Sequence, residues 1–157
     1  MQRMDADHFA RTVQECRAAL YRIAYGMLHS SADAEDAVSN AVVAAFGRLS
    51  GIRRPEALPA YLMRCTVNAC RETLRRRKRE VSTEFSGELS PPVYDGGGVW
   101  EYLHALPEKY RLPLMLRYGE NWPLTDVAHF LHLPKGTASS RISRGLDMLK
   151  KELEKED

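Results

Sequence analysis

A chain of 157 residues has room for one domain or two small ones, and 44% hydrophobic with 28% charged residues excludes global disorder. The formal charge is only +2, yet 14 basic residues stand against 9 acidic ones through Glu80, and 9 against 12 after it. Asp5 and Asp7 interrupt any secretory signal, the longest wholly apolar run is Ala41–Phe46, and Cys16, Cys65 and Cys70 are an odd number with no Cys-x-x-Cys pair, so the expectation is a cytoplasmic protein without membrane insertion.

Residues 5 to 29 carry Phe9, Val13, Cys16, Leu20, Ile23, Ala24 and Met27 at helical spacing, with Asp5 or Asp7 as cap, and read as one long helix. Ser30 or Ser31 caps the next, whose first turn holds Asp33, Glu35 and Asp36 at the positive end of the helix dipole. Its buried stripe is Ala34, Ala37, Val38, Ala41, Val42 and Ala45, small enough for another helix to come close, while Asn40 and the acidic residues stay outside. Gly51 to Pro59, with Arg53, Arg54 and two prolines, breaks the pattern and reads as a basic loop suited to a ligand contact.

A third helix is expected from about Ala60 to Arg79, burying Leu62, Cys65, Ala69 and Leu74 while its arginines stay in water. It ends in Arg75-Arg76-Arg77-Lys78-Arg79, the densest positive charge in the chain. Cations suit a helix C-terminus, but a cap does not need five, and a run of this density favours a nucleic-acid partner over a merely solvated face. Val81 to Gly98 then turns to Ser, Pro and Gly, and reads as an extended, mobile linker.

Beyond it a short helix from Val99 to Leu106 precedes another from Glu108 to Tyr118, which presents Tyr110, Leu114, Met115 and Tyr118 and contains Pro113. Leu124 to Leu131 forms a brief helix with Val127, Ala128 and Leu131 inward, a turn follows at His132-Leu133, and Pro134 opens the last helix. There Ala138, Ile142, Gly145, Leu146, Leu149 and Leu153 make the buried stripe, and Ser139, Ser140, Ser143 and Arg144 lie roughly opposite. Any amphipathic terminal helix would carry such a stripe, but helix, short turn, helix with Ala128 at the crossing is a helix-turn-helix arrangement, and small hydroxyl residues beside an Arg suit a major groove. The fold class is therefore all-α, two small helical domains joined by a flexible linker: 1–80, linker 81–98, and 99–157.

No constellation for chemistry is spelled out. His8, His29, His104, His129 and His132 lack metal spacing, the Gly96-Gly97-Gly98 triplet has neither a preceding strand nor a Lys-Ser/Thr ending, and neither an enzyme nor a cofactor is expected.

Taken together the two halves resemble the bacterial RNA polymerase sigma factors of the sigma-70 family, in the small extracytoplasmic-function type. Ala32-Asp33-Ala34-Glu35-Asp36-Ala37-Val38 resembles the start of the family's polymerase-binding helix, and Tyr61-Leu62-Met63-Arg64-Cys65-Thr66-Val67-Asn68 with the Arg-rich end is similar to its promoter-melting helix. Leu106-Pro107-Glu108-Lys109-Tyr110-Arg111 and Pro134-Lys135-Gly136-Thr137-Ala138-Ser139-Ser140-Arg141-Ile142-Ser143-Arg144 resemble the family's fourth region. By position, the resemblance implies that Asp36, Ser39 and Asn40 face core RNA polymerase. It implies that Ile52, Arg53, Arg54 and Asn68, with Arg71 and Arg75 on the same basic helix, receive the minus-ten element of promoter DNA. It also implies that Lys135, Thr137, Ser139, Ser140, Ser143 and Arg144 meet the minus-thirty-five element. An anti-sigma factor is a candidate further partner. Ser39-Asn40 stand where the family usually has Gln-Glu, which motivates the alternative of a sigma-like DNA-binding regulator that does not itself direct initiation.

Overall fold

The computed structural model describes residues 5–83 and 98–155, with only the backbone of 81–83. The chain divides into two compact units that part between Val93 and Tyr94. Among the described residues all regular structure is helical.

In the first unit, α1 (Ala6–Leu28), α2 (Ser31–Gly47) and α3 (Leu58–Thr83) each pack against the other two. Asp5 caps α1 by accepting from the His8 N–H at 2.7 Å, and Ser30 caps α2 by accepting from the Asp33 N–H at 3.2 Å. Phe9, Leu20, Ile23, Ala24 and Met27 of α1 are buried as the spacing predicts, with Val13 and Cys16 half-buried. Its last turn is enclosed on all sides, because Tyr25, Leu28 and His29 are buried as well. Ala34, Ala37, Ala41 and Ala45 are each 1% exposed or less, and this ladder of methyl groups lets the neighbouring helices approach α2.

The third helix departs from expectation at both ends and in its stripe. A 3-10 turn at Pro55–Ala57 feeds directly into it, so it starts at Leu58 with Pro59 in the first turn, where a missing N–H costs nothing. It continues through Thr83 because Lys, Arg and Glu are good helix formers. The first three residues of the expected linker are therefore helix, and the rest, 84–97, lies outside the described residues. Leu58, Leu62, Met63, Thr66, Val67 and Cys70 are buried, whereas Cys65 and Ala69 are half-buried. A helix touching two others must bury a wider arc than one stripe. Thr66 enters that arc because its hydroxyl donates to the Leu62 carbonyl at 2.9 Å.

In the second unit, α4 (Val99–Ala105), α5 (Glu108–Leu114) and α6 (Leu124–Leu131) all pack on α7 (Lys135–Glu154). The helix expected to reach Tyr118 stays α-helical only to Leu114 and widens into a π-turn at Met115–Gly119, with the Glu120 N–H bonded five residues back to Met115 at 3.0 Å. Pro113, which has no N–H for the carbonyl four residues back, stands immediately before the widening. The change of period takes Tyr118 off the stripe and leaves it 56% exposed, while Leu112 and Leu116 are buried. In α6 Phe130 is buried and Leu131 only half-buried, and the Phe130 ring meets Trp122 edge to face at 5.3 Å. Along α7 the stripe holds at Ala138, Ile142 and Gly145, but Leu146 and Leu153 are exposed. The close crossing expected at Ala128 has a counterpart at Gly145, where a built Cβ would stand 3.3 Å from the Tyr110 carbonyl oxygen of α5. Arg111 is buried and donates to the His104 carbonyl at 3.1 Å, tying α4 to α5; burial lowers its guanidinium pKa, against the pull of Glu108.

Candidate nucleic-acid interface

The loop between α2 and α3 bends through two 3-10 turns, Leu49–Gly51 and Pro55–Ala57, and returns over the start of α3. It forms an open groove of about 780 Å³ lined by Arg48, Ile52, Arg53, Arg54 and Tyr61 among others. Ile52, Arg53 and Arg54 are brought together as expected; Arg48 and Tyr61 are additions. Tyr61 stands close enough to Cys65 and Arg48 for both to act on its phenol. Burial raises its phenol pKa and Cys65 adds to this, with Arg48 opposing. A cationic groove with one aromatic wall can follow a sugar-phosphate backbone and take an unstacked base.

Asn68, Arg71 and Arg75 do not line this groove. Asn68 lies seven residues from Tyr61 and from Arg75, so the three share one face of α3 at intervals of about 10 Å, with Tyr61 half-buried and Asn68 and Arg75 exposed. Arg71 flanks it and is half-buried. The basic run that follows is not five equal cations in water. Arg77 turns inward, donates to the Leu28 carbonyl at 2.9 Å and pairs with Asp33. Arg75 and Arg79 approach Glu72 at 3.0 and 3.6 Å. Sequence reasoning missed the inward turn because Arg77's partners lie 49 and 44 residues away.

On α2, Asp36, Ser39 and Asn40 are exposed, as expected. Between them and the helix end stand Val43 and Phe46, 71% and 53% exposed, and the Phe46 ring meets Phe9 at 5.4 Å. An outward valine near the centre of a polar face was legible from helical spacing, since Val43 is seven residues from Asp36 and three from Asn40.

In the second unit the turn after α6 is closed by His132, left-handed at φ 56, and by the Leu133 N–H bonding to the Ala128 carbonyl at 2.9 Å. Pro134 then fixes the start of α7. Lys135, Thr137, Ser139, Ser140, Ser143 and Arg144 are all exposed. Thr137, Ser140 and Arg144 line a shallow concavity against α5, whereas Lys135, Ser139 and Ser143 lie outside it. Lys109 and Tyr110 complete that concavity from α5, and Tyr110 is half-buried. The Arg144 guanidinium, and after it the Lys109 ammonium, hold its phenol pKa below the usual value.

Among the described residues no three His, Cys, Asp or Glu side chains gather as a metal site, and no helix is long and apolar enough to cross a membrane.

Comparison with known proteins matches residues 12–80 to the family described as sigma-70 region 2, and residues 102–151 to sigma-70 region 4. The RNA polymerase sigma-E factor of Streptomyces avermitilis is 31% identical over 98% of this chain and 88% of its own length. The ECF RNA polymerase sigma factor SigW of Bacillus subtilis is 26% identical over 95% and 90%. In structure, the sigma factor RpoE of Bartonella quintana, solved with the anti-sigma factor NepR, shares the fold with a TM-score of 0.77 and 23% identity, over 93% of this chain and 96% of that one.

Proposed function

Since the chain belongs to the sigma-70 family of RNA polymerase sigma factors, among its extracytoplasmic-function members, we propose a division of labour between its two units. The chain directs core RNA polymerase to promoters and starts transcription there. Its first unit binds polymerase through the outward face of α2, using Asp36, Ser39, Asn40 and the added apolar pair Val43 and Phe46. The same unit takes melted minus-ten DNA in the groove of Arg48, Ile52, Arg53, Arg54 and Tyr61, and along the stripe of Asn68, Arg71 and Arg75. Its second unit sets the exposed face of α7, from Lys135 to Arg144, into the minus-thirty-five duplex.

The single observation that carries this reading is the groove. Three arginines and a phenol line an open volume of about 780 Å³, and cations beside an aromatic ring suit a single strand. Melting needs no covalent step: a base held out of the stack is one that no longer pairs, so binding energy opens the duplex. The cytoplasm, where polymerase and promoters are, is its place of action, and an anti-sigma factor remains a candidate partner.

Mixing the chain with core polymerase and separating by size tests the α2 assignment. Wild type co-elutes with polymerase, and Val43→Asp, which places a charge at an apolar contact without touching the core, weakens association about tenfold or more. Co-elution of Val43→Asp equal to wild type would exclude this face.

A further inference from the structure

Glu72 is a carboxylate on a helix of cations. Between Leu58 and Thr83 the acidic residues are Glu72 and Glu80 alone, against seven Lys and Arg. Glu72 lies four residues after Asn68, three before Arg75 and seven before Arg79, so it stands on the same exposed face of α3, one turn or about 6 Å past Asn68. One of its carboxylate oxygens takes Arg75 Nη1 at 3.0 Å, and the other stands 3.6 Å from Arg79 Nη2. With Lys78 these three side chains line a surface hollow of about 490 Å³. The glutamate is 52% exposed and the two arginines 69% and 70%, so solvent screens the pairs and helix stability gains little from them. For a strand lying along Asn68 and Arg75 the carboxylate is a cost, because it repels passing phosphates and occupies two guanidiniums. That cost is recovered only by a strand that offers Glu72 a donor. On an unstacked base the cytosine N4 or adenine N6 amino group donates to a carboxylate, whereas thymine and uracil turn their O4 oxygen to the same place.

We propose that Glu72 is a specificity-determining residue of the first unit: it accepts a hydrogen bond from the exocyclic amino group of an unstacked base lying next to Asn68, and it turns away strands that present a carbonyl oxygen there. The inference rests on the reading of α3 as the path of the melted minus-ten strand, and adds to it the chemical class of base that is read. A charge-assisted bond favours the right strand and an unmatched carboxylate penalises the wrong one, so discrimination is gained at the expense of affinity. Arg75 and Arg79 are positioning residues for this step. Held between them, the carboxylate faces the hollow before the strand arrives.

Fluorescence anisotropy of the full chain at low salt and neutral pH tests this with two single strands about twelve nucleotides long, oligodeoxycytidine and oligodeoxyuridine, whose bases differ only on the pairing edge. Wild type binds the cytidine strand about fivefold or more tighter, as one good hydrogen bond to a base edge provides. Glu72→Gln keeps the length, loses the charge, and can donate to O4 as readily as it accepts from N4. The uridine strand therefore gains about threefold or more in affinity and the ratio between the strands falls to within about twofold, while thermal unfolding is unchanged. A merely structural ion pair would move the unfolding temperature and leave the ratio alone. Equal binding of the two strands by wild type, or a gain of the same factor for both strands in Glu72→Gln, overturns the proposal. The underlying reading is checked separately by the double variant Arg53→Ala, Arg54→Ala, which weakens both strands. If it does so and wild type shows no ratio, the groove stands and the role of Glu72 falls. If it binds like wild type and the ratio is present, Glu72 reads the base and the groove assignment fails. No binding of either strand overturns both.

Discussion

Arg77 near the end of α3 pairs with Asp33 at the start of α2, and its second nitrogen donates to the Leu28 carbonyl at the end of α1, so one guanidinium joins all three helices of the first unit. The two side chains are 30% and 39% exposed, which screens the pair and keeps its worth modest. Arg77→Ala leaves a carbonyl and a carboxylate unmatched and lowers stability by about 1–2 kcal/mol, whereas exposed Arg76→Ala stays within about 0.5 kcal/mol. Denaturant titration of the two variants checks this. The converse holds for DNA: Arg76→Ala lowers the salt slope of binding to single-stranded minus-ten DNA and Arg77→Ala does not.

The crossing of α5 and α7 is set by Gly145. A Cβ there meets the Tyr110 carbonyl at 3.3 Å and the Tyr110 Cβ at 3.6 Å, and a backbone oxygen cannot swing away. Gly145→Val therefore destabilises by about 1–3 kcal/mol. At Gly136 an added methyl meets nothing, so Gly136→Ala gains helix propensity and stabilises by up to about 1 kcal/mol. Thermal unfolding of both variants should give opposite signs.

Two helices end on a left-handed histidine, and the two respond differently to glycine. His132 is exposed at φ 56, so His132→Gly relieves the backbone and stabilises by about 0.5–1 kcal/mol. His29 has φ 52 but is 1% exposed and stacks edge-on with Tyr25 at 5.5 Å, so His29→Gly loses packing and destabilises by about 2 kcal/mol or more. Stabilisation at both positions would mean that the buried imidazole contributes nothing.

Burial raises the thiol pKa of Cys16, helped by Glu15, and of Cys65, opposed there by Tyr61, Arg48 and Arg64. A raised pKa favours the protonated form in the fold, so this contribution is full below the ordinary thiol value and is lost as pH rises through the raised one. Stability should fall on the alkaline side, less steeply in Cys16→Ser and Cys65→Ser. At neutral pH both thiols should alkylate more slowly than in the unfolded chain, and Cys70, with no exposed surface, should not react until unfolding.

Local rules carried much of the fold. Asp5 and Ser30 cap as their positions predict, the alanine ladder of α2 is buried, and the turn at His132-Leu133 stands between α6 and α7. What local rules could not carry is contact between distant residues: Arg77 turning inward, Arg111 buried against α4, and Cys65 left half-buried where a core place was expected. Tyr118 was misplaced because a period of 3.6 was extended through a π-turn. At the candidate site, Ile52, Arg53 and Arg54 gather in one groove as expected, while Lys109 and Tyr110 were not legible, because they matter only through meeting Thr137, Ser140 and Arg144 from another helix.

The most direct test of promoter direction is transcription of the source organism's genomic DNA by its core polymerase, with and without this chain, followed by mapping of transcript 5′ ends. The account predicts a set of starts that depends on the chain and shares two upstream elements at one spacing. Arg144→Ala changes the preferred upstream element, and Asn68→Ala lowers open-complex formation with that element unchanged. No starts above those of core polymerase alone would contradict it.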